Sequence, residues 1–385
     1  MMAASRGVAP VRGVVPAAGL PFGRLASPRI DSRRTVLQFT AMRASDVLRL
    51  FVCLALIVGL SALVSVPVLE ALEEPTGPQA PPTRATPDTA KRVDPVTARC
   101  FGAASADLGR PCVNAGLAST VFPAPRDARA AQRNEPCRKK QDLGLLRVCF
   151  WGARARAATR TVALIGDSHA SHWRAAMQTV VKAKGWRAIS ISRAGCPLTL
   201  ARPDLPGPTR KIECLRWNQA VQRWVARHPS VSVVFTGAHL GSVFASPGLS
   251  MRATQRIGYA KAWRRLLAAG VKQIVVFRDT PRISSATLPC VGRAVAARQA
   301  PGTACALPRG YALRPDPGVQ AAELERTPRI QVADLSRFFC GPQVCPPVVG
   351  GALVLRDVSH MTTTFSATLG PYLLRTVDRL SARWR

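Results

Sequence analysis

From about residue 158 the chain alternates short apolar runs with amphipathic stretches, the pattern of strands followed by helices. Thr161–Ile165 is a β-branched run ending in Gly166, and Ser171–Lys184 has a helical repeat. Arg187–Ser192 predicts a second strand, followed by a cysteine-bearing loop and a helix near Cys214–Arg227. Val231–Thr236, Gln273–Phe277 and Ile330–Asp334 read as further strands, and Ile257–Ala269 and Phe365–Arg379 as helices. Strands alternating with helices imply a parallel sheet covered on both faces, a doubly wound α/β sandwich. Ligands of such folds bind beyond the carboxyl ends of the strands, so candidate chemistry is sought there.

Upstream the pattern is different. Leu50–Leu69 carries no charge and is long enough to cross ~30 Å of hydrocarbon. Arg6, Arg12, Arg24, Arg29, Arg33, Arg34, Arg43 and Arg49 precede it, and Glu70, Glu73 and Glu74 follow. Positive charge stays on the cytoplasmic side, which predicts a single-pass protein of the cell membrane with everything beyond Leu69 extracytoplasmic. A secretory signal peptide starting at Met42 is the rival reading. Its apolar stretch would exceed the usual run of about 7–15 residues, and no clean cleavage signal follows. A buried core helix is the third, opposed by apolar residues on every face. The chain thus divides into a disordered basic cytoplasmic tail (1–46), a transmembrane anchor or signal-anchor (47–69) and a Pro-rich linker (70–97). A lead-in extension (98–157) and the α/β domain (158–385) complete it.

Composition narrows the function classes. Lys and Arg number 54 against 21 Asp and Glu, a formal charge of +33, while aromatics are only 6%. The basic residues are not interleaved with aromatics, so a nucleic-acid platform fits poorly and no nucleic-acid partner is expected. Eleven cysteines without a CxxC pair argue against zinc-ribbon and thioredoxin-like readings. Cys53 lies in the apolar span; the other ten fall on the side predicted to be external, in successive pairs. Cys100–Cys112, Cys137–Cys149, Cys196–Cys214, Cys290–Cys305 and Cys340–Cys345 are the simplest pairing, although spacing alone leaves connectivity open. Metal ligation suits neither these spacings nor the scarcity of histidine, and no metal or other cofactor is expected.

At the end of the first predicted strand stands Gly166-Asp167-Ser168-His169-Ala170, followed by His172 and Trp173. A serine at a strand-to-helix turn exposes its hydroxyl beyond the sheet, where a helix amino terminus favours developing negative charge. A Ser or Asp helix cap has the same appearance. Near the carboxyl end comes Asp357-Val358-Ser359-His360. An Asp three residues before a His can accept the imidazole Nδ1–H and fix the tautomer whose Nε2 takes a serine proton. Taken singly, this segment too reads as a cap for the last helix.

Together the two segments closely resemble the SGNH hydrolase superfamily. The likeness is to the subgroup found as an extracellular domain behind the membrane-embedded acyltransferase 3 family, enzymes that O-acetylate cell-envelope glycans. Ser192-Arg193-Ala194-Gly195-Cys196-Pro197, Val276-Phe277-Arg278-Asp279-Thr280-Pro281 and Phe339-Cys340…Cys345-Pro346 are also similar to that subgroup, and the likeness covers roughly residues 98–382. It implies a flavodoxin-like sheet with Ser168 as nucleophile, His360 as general base, Asp357 as its orienting residue, and Gly166 and Asp167 in support. For the oxyanion hole it implies backbone N–H groups, with Ser168, Gly195 and Gly237 as candidates. The usual G-x-N is absent: Thr236-Gly237-Ala238-His239 stands in its place, with His239 where the asparagine is expected. His169 and His172 are read as local helix contacts or pocket lining, and His228 as a surface loop residue.

The resemblance implies O-acyl transfer to a cell-envelope polysaccharide through an acyl-serine. Esterase action on the same substrates, or non-catalytic binding of an anionic glycan, are the alternatives. Relatives with the full architecture carry a bundle of membrane helices before this domain, whereas here one span is predicted. An acyl donor, or a membrane acyltransferase supplying it, is therefore the expected partner, with the membrane itself.

Overall fold

The computed structural model describes residues 97–130 and 134–384. The tail, the Leu50–Leu69 span and all but the last residue of the linker lie outside the described residues. Among the described residues no helix is long and apolar enough to cross a membrane.

Seven strands build one sheet: β1 (Lys139–Asp142), β2 (Arg147–Gly152), β3 (Thr161–Gly166), β4 (Arg187–Ser192), β5 (Val231–Gly237), β6 (Gln273–Phe277) and β7 (Ile330–Ala333). Their spatial order is β1-β2-β4-β3-β5-β6-β7. The parallel part, β4-β3-β5-β6-β7, has the flavodoxin-like order expected. β1 and β2 add an antiparallel edge, which the sequence reading left within the lead-in. The lead-in and the α/β domain therefore share a sheet, and the division at residue 157 is one of the chain rather than of the fold. Trp151 Nε1 donates to Ser190 Oγ at 2.9 Å, joining β2 to β4.

The central strands are apolar because both faces are covered. Val162 and Leu164 of β3, Val233 and Phe235 of β5, and Val275 and Phe277 of β6 face one layer. That layer holds helix α2 (Arg174–Lys184) and the closing helices α7 (Thr363–Thr368) and α8 (Gly370–Ser381). The alternate residues Ala163, Ile165, Val234, Ile274 and Val276 face the other layer. There α3 (Pro208–Ala226) and α4 (Met251–Ala268) bring in Trp217, Trp224, Tyr259 and Trp263, with α6 (Pro317–Leu324) beside them. A further helix, α5 (Thr287–Ala296), packs its Val291 and Ala294 on Ala128 of the lead-in.

Two departures from the predicted helices have local causes. The helix expected over Ser171–Lys184 is a four-residue turn, α1 (Ser168–Ser171), and then α2. The Ser366 hydroxyl enters the break: it donates to His172 O at 2.6 Å and accepts from Ala176 N at 3.2 Å, replacing one rung of the helix ladder. The expected Phe365–Arg379 helix breaks at Leu369, where Gly370 lies so close to Thr179 of α2 that any side chain would collide. All five disulfides form with the pairing expected from sequence, Cys100–Cys112, Cys137–Cys149, Cys196–Cys214, Cys290–Cys305 and Cys340–Cys345.

Candidate active site

β3 ends in Gly166, at φ +154°, where an added Cβ would stand 2.6 Å from Gly237 O and 2.7 Å from Ala170 Cβ. Glycine here lets α1 close against the strand end. Asp167 then caps α1, its Oδ1 accepting from His169 N at 2.8 Å. Its Oδ2 accepts from His239 N at 2.9 Å, so this fully buried carboxylate also ties down the loop after β5. Burial raises its pKa. Ser168 follows as the first residue of α1.

Residues 192 positions apart in the chain meet at Ser168: its Oγ lies 2.9 Å from His360 Nε2. His360 Nδ1 lies 2.9 and 3.0 Å from the two oxygens of Asp357. Asp357 Oδ1 also accepts from Ser359 N and His360 N, which holds the carboxylate in the turn before α7. Burial opposes ionisation of Asp357, but the hydrogen bonds from the His360 ring and from these backbone amides outweigh it, and its pKa falls well below the ordinary range. With Nδ1–H given to Asp357, Nε2 is free to accept the Ser168 proton. The bond at Ser168 already has hydrogen-bond length.

Of the three candidate oxyanion donors, two have uncommitted backbone amides. Among the described residues neither Ser168 N–H nor Gly195 N–H has an acceptor. Gly195, at φ +67°, lies in the loop after β4, which Arg193 N–H pins to Gly166 O at 3.1 Å. Gly237 pairs with Gly166 in the β3–β5 register and packs beneath His169 and Ala170. The amides beyond it are spent, His239 N on Asp167 and Leu240 N on Asp279 at 2.9 Å.

A second histidine–carboxylate pair adjoins the first, and the sequence reading missed it. His169 Nδ1 lies 2.6 Å from Asp279 Oδ1, both side chains buried. Burial works against a charged imidazole there, but the attraction of Asp279 prevails and the His169 pKa is raised. Its ring stands 4.9 Å from that of His360 and 4.3 Å from that of His239, centroid to centroid. His172, whose pKa burial lowers strongly, has its ring 4.9 Å from His169. The signal was present in Asp279, which closes a parallel strand at its carboxyl end. His169, His172 and Asp279 offer ligand atoms within 4.8 Å of one another. Asp279, however, already engages His169 Nδ1, Thr280 N and Leu240 N, and His172 Nδ1 accepts from Met361 N. His169 Nε2 and His172 Nε2 are buried with no hydrogen-bond partner among the described residues. His228 lies outside the site; rather than projecting from a loop, it is half-buried, stacked on Trp224 with Nδ1 2.7 Å from Trp224 O.

A pocket of about 310 Å³ opens beside Asp357 and includes Arg126, Arg129 and Arg356 in its wall. A larger one of about 1020 Å³ lies elsewhere, between the Cys100–Cys112 loop and residues 336–351, and has none of the three site residues in its lining.

The fold and the site place this chain among doubly wound α/β domains with a Ser–His–Asp constellation at the strand ends. The family model described as an SGNH domain fused to AT3 domains matches residues 136–375, more than half the chain, and the protein belongs to that family. Among solved structures it resembles the periplasmic domain of a lipopolysaccharide acetyltransferase of Salmonella ser. Paratyphi A. Identity is 13% and the TM-score 0.45, over 58% of this chain and 85% of that one. A soluble variant of monoglyceride lipase from Saccharomyces cerevisiae also matches, at 7% identity and TM-score 0.32, over 65% of this chain and 96% of the other. No curated protein sequence matches.

Proposed function

We propose that this protein is an acyl-serine enzyme that moves an acetyl-type group onto a hydroxyl of a cell-envelope polysaccharide. The observation that carries this reading is the unbroken hydrogen-bonded chain from Ser168 Oγ through the His360 ring to Asp357. An acetyltransferase or esterase role is the family's, and the transfer itself is our inference from it. Ser168 Oγ attacks the acyl carbon as His360 Nε2 takes its proton, and the N–H groups of Ser168 and Gly195 receive the oxyanion. His360 passes the proton to the leaving oxygen. The acceptor hydroxyl then approaches, gives its proton to Nε2 and takes the acyl group, restoring Ser168. Asp357 holds the imidazole tautomer throughout and stabilises the imidazolium. Five disulfides support an extracytoplasmic place for the domain, and the Leu50–Leu69 run supports an anchor. An acyl donor, or a membrane acyltransferase that supplies it, completes the reaction.

A fluorophosphonate probe should label Ser168 alone, and Ser168→Ala should abolish both labelling and release of chromophore from an acetyl-ester chromogen. His360→Ala should lower acylation by about 10⁴-fold or more. Adding oligosaccharide acceptors should divert acetyl from water to the glycan. Labelling at another serine overturns the assignment, and acceptor-independent hydrolysis turns the enzyme into an esterase.

A further inference from the structure

The pocket beside Asp357 has walls from three distant parts of the chain. They are the Pro125–Arg129 segment of the lead-in, residues 283–288 at the start of α5, and Arg356–Val358. Each wall is anchored. Ala128 is buried against α5, Ile283 N donates to Val358 O at 2.9 Å, and Arg356 N donates to His360 O at 2.9 Å. The pocket is thus built into the same turn that carries Asp357 and His360.

Its charge is unbalanced. Arg126, Arg129 and Arg356 line it, and the one carboxylate among the lining residues is Asp357. Asp357 is already committed to the His360 ring and to two backbone amides. Arg126 has only an exposed contact with Asp127 at 3.5 Å, which water and salt weaken. Among the described residues Arg129 and Arg356 pair with no carboxylate, and Arg356 Nε is buried with no acceptor. Three guanidiniums around one small pocket repel one another unless an anion enters. Each offers the planar fork that a carboxylate or phosphate accepts. Ile283, Leu288 and Val358 add an apolar side. At about 310 Å³ the pocket is at the small end of ligand sites, enough for one substituted sugar or one short acyl unit.

We propose that this pocket is an anion subsite, and that the substrate acylated or deacylated at Ser168 carries a carboxylate or phosphate that reaches the Asp357 side of the site. The inference rests on the reading of Ser168 as nucleophile and adds the chemical class of what binds beside it. The anion has two sources, the acceptor sugar or the acyl group.

The test uses the full-length protein in detergent and paired substrates. In one arm 4-nitrophenyl acetate is compared with mono-4-nitrophenyl succinate, whose acyl group is anionic. In the other, methyl glucoside and methyl glucuronoside compete as acceptors. The quantity read is the ratio of kcat/KM for the anionic member to that for the neutral one, in the wild type, in Arg356→Gln and in the double variant Arg126→Gln/Arg129→Gln. We expect a wild-type preference for the anion in one arm, falling about tenfold or more in either variant, because a guanidinium–anion hydrogen bond is stronger than a neutral one. Loss of the ratio in the ester arm assigns the anion to the acyl group; loss in the acceptor arm assigns it to the glycan. A structural lesion would lower both members together and leave the ratio unchanged. Should Arg356→Gln fail to fold, the double variant, whose two side chains are exposed, still decides. Turnover of neutral ester with no anion preference in either arm, or a preference that survives both variants, overturns the subsite and leaves the nucleophile standing. Failure of the probe to label Ser168 removes the reading beneath it.

Discussion

Buried carboxylates set the geometry around Ser168 one bond at a time. Asp167, Asp279 and Asp316 stand in series: Asp316 Oδ2 accepts from Asp279 N at 2.8 Å, and Asp279 and Asp167 hold the amides of Leu240 and His239. Asp279→Asn would set an amide N–H₂ against either the Leu240 N–H or His169. We expect a loss of about 1–3 kcal/mol in denaturant unfolding, with slower fluorophosphonate labelling as His169 and the loop after β5 lose their register. Burial pushes the pKa of Asp316 from 3.8 up to about 6. A carboxyl whose folded pKa is raised binds more protons folded than unfolded, so its contribution to stability declines as pH rises from about 4 through 6. The shift corresponds to about 3 kcal/mol. In melts across that window, wild type should lose stability relative to Asp316→Asn as pH rises. A constant difference would show that Asp316 does not titrate there. Asp357 and His360 were legible together because they stand three positions apart in one turn, and Ser168 because Gly166-Asp167-Ser168 closes a strand; their meeting across 192 positions rested on the family resemblance. Asp279 was not legible, since its partner His169 lies 110 residues distant.

Strands covered on both faces are rich in apolar and β-branched residues, as in Thr161–Ile165, Val231–Thr236 and Gln273–Phe277, which is why the parallel strands could be read from the sequence. β1 could not: its residues Lys139-Lys140-Gln141-Asp142 form an edge strand with little apolar signal. α6 was hidden for another reason. Asp316-Pro317-Gly318 has the look of a turn, yet it is a helix start with Asp316 as cap and Pro317 in the first turn. The break between α1 and α2 depends on Ser366, nearly two hundred residues away, and no local pattern records it. Where strand meets helix the tolerance is smallest. Gly166→Ala would drive a methyl into Gly237 O and Ala170 Cβ, so the cost should exceed the ~1–3 kcal/mol of ordinary overpacking. Expression of soluble, probe-reactive Gly166→Ala at wild-type melting temperature would contradict this account of the strand end.

At the scale of the molecule, ten cysteines fell into local pairs because each bridge closes a short loop, with partners 5 to 18 positions apart. Thiol titration of the denatured, unreduced chain should therefore find no reactive thiol among these ten. Reduction should lower stability by about 2–4 kcal/mol for each bridge that is not strained. Net charge of +33 acts differently, through a field screened beyond about 8–10 Å at physiological salt. Raising salt should weaken association with anionic polymer while changing turnover of a neutral ester little, whereas equal loss of both would place the exposed basic residues at the reacting centre. The separation of Ser168 from His360 has a temporal side. A ribosome delivers the chain from its amino end, at roughly 5–20 residues per second. The separation of 192 positions thus leaves the serine without its proton acceptor for some ten seconds or more. On the proposed mechanism a nascent chain carries an unactivated hydroxyl, and Ser168 gains its proton acceptor only once the last helices have docked on α2.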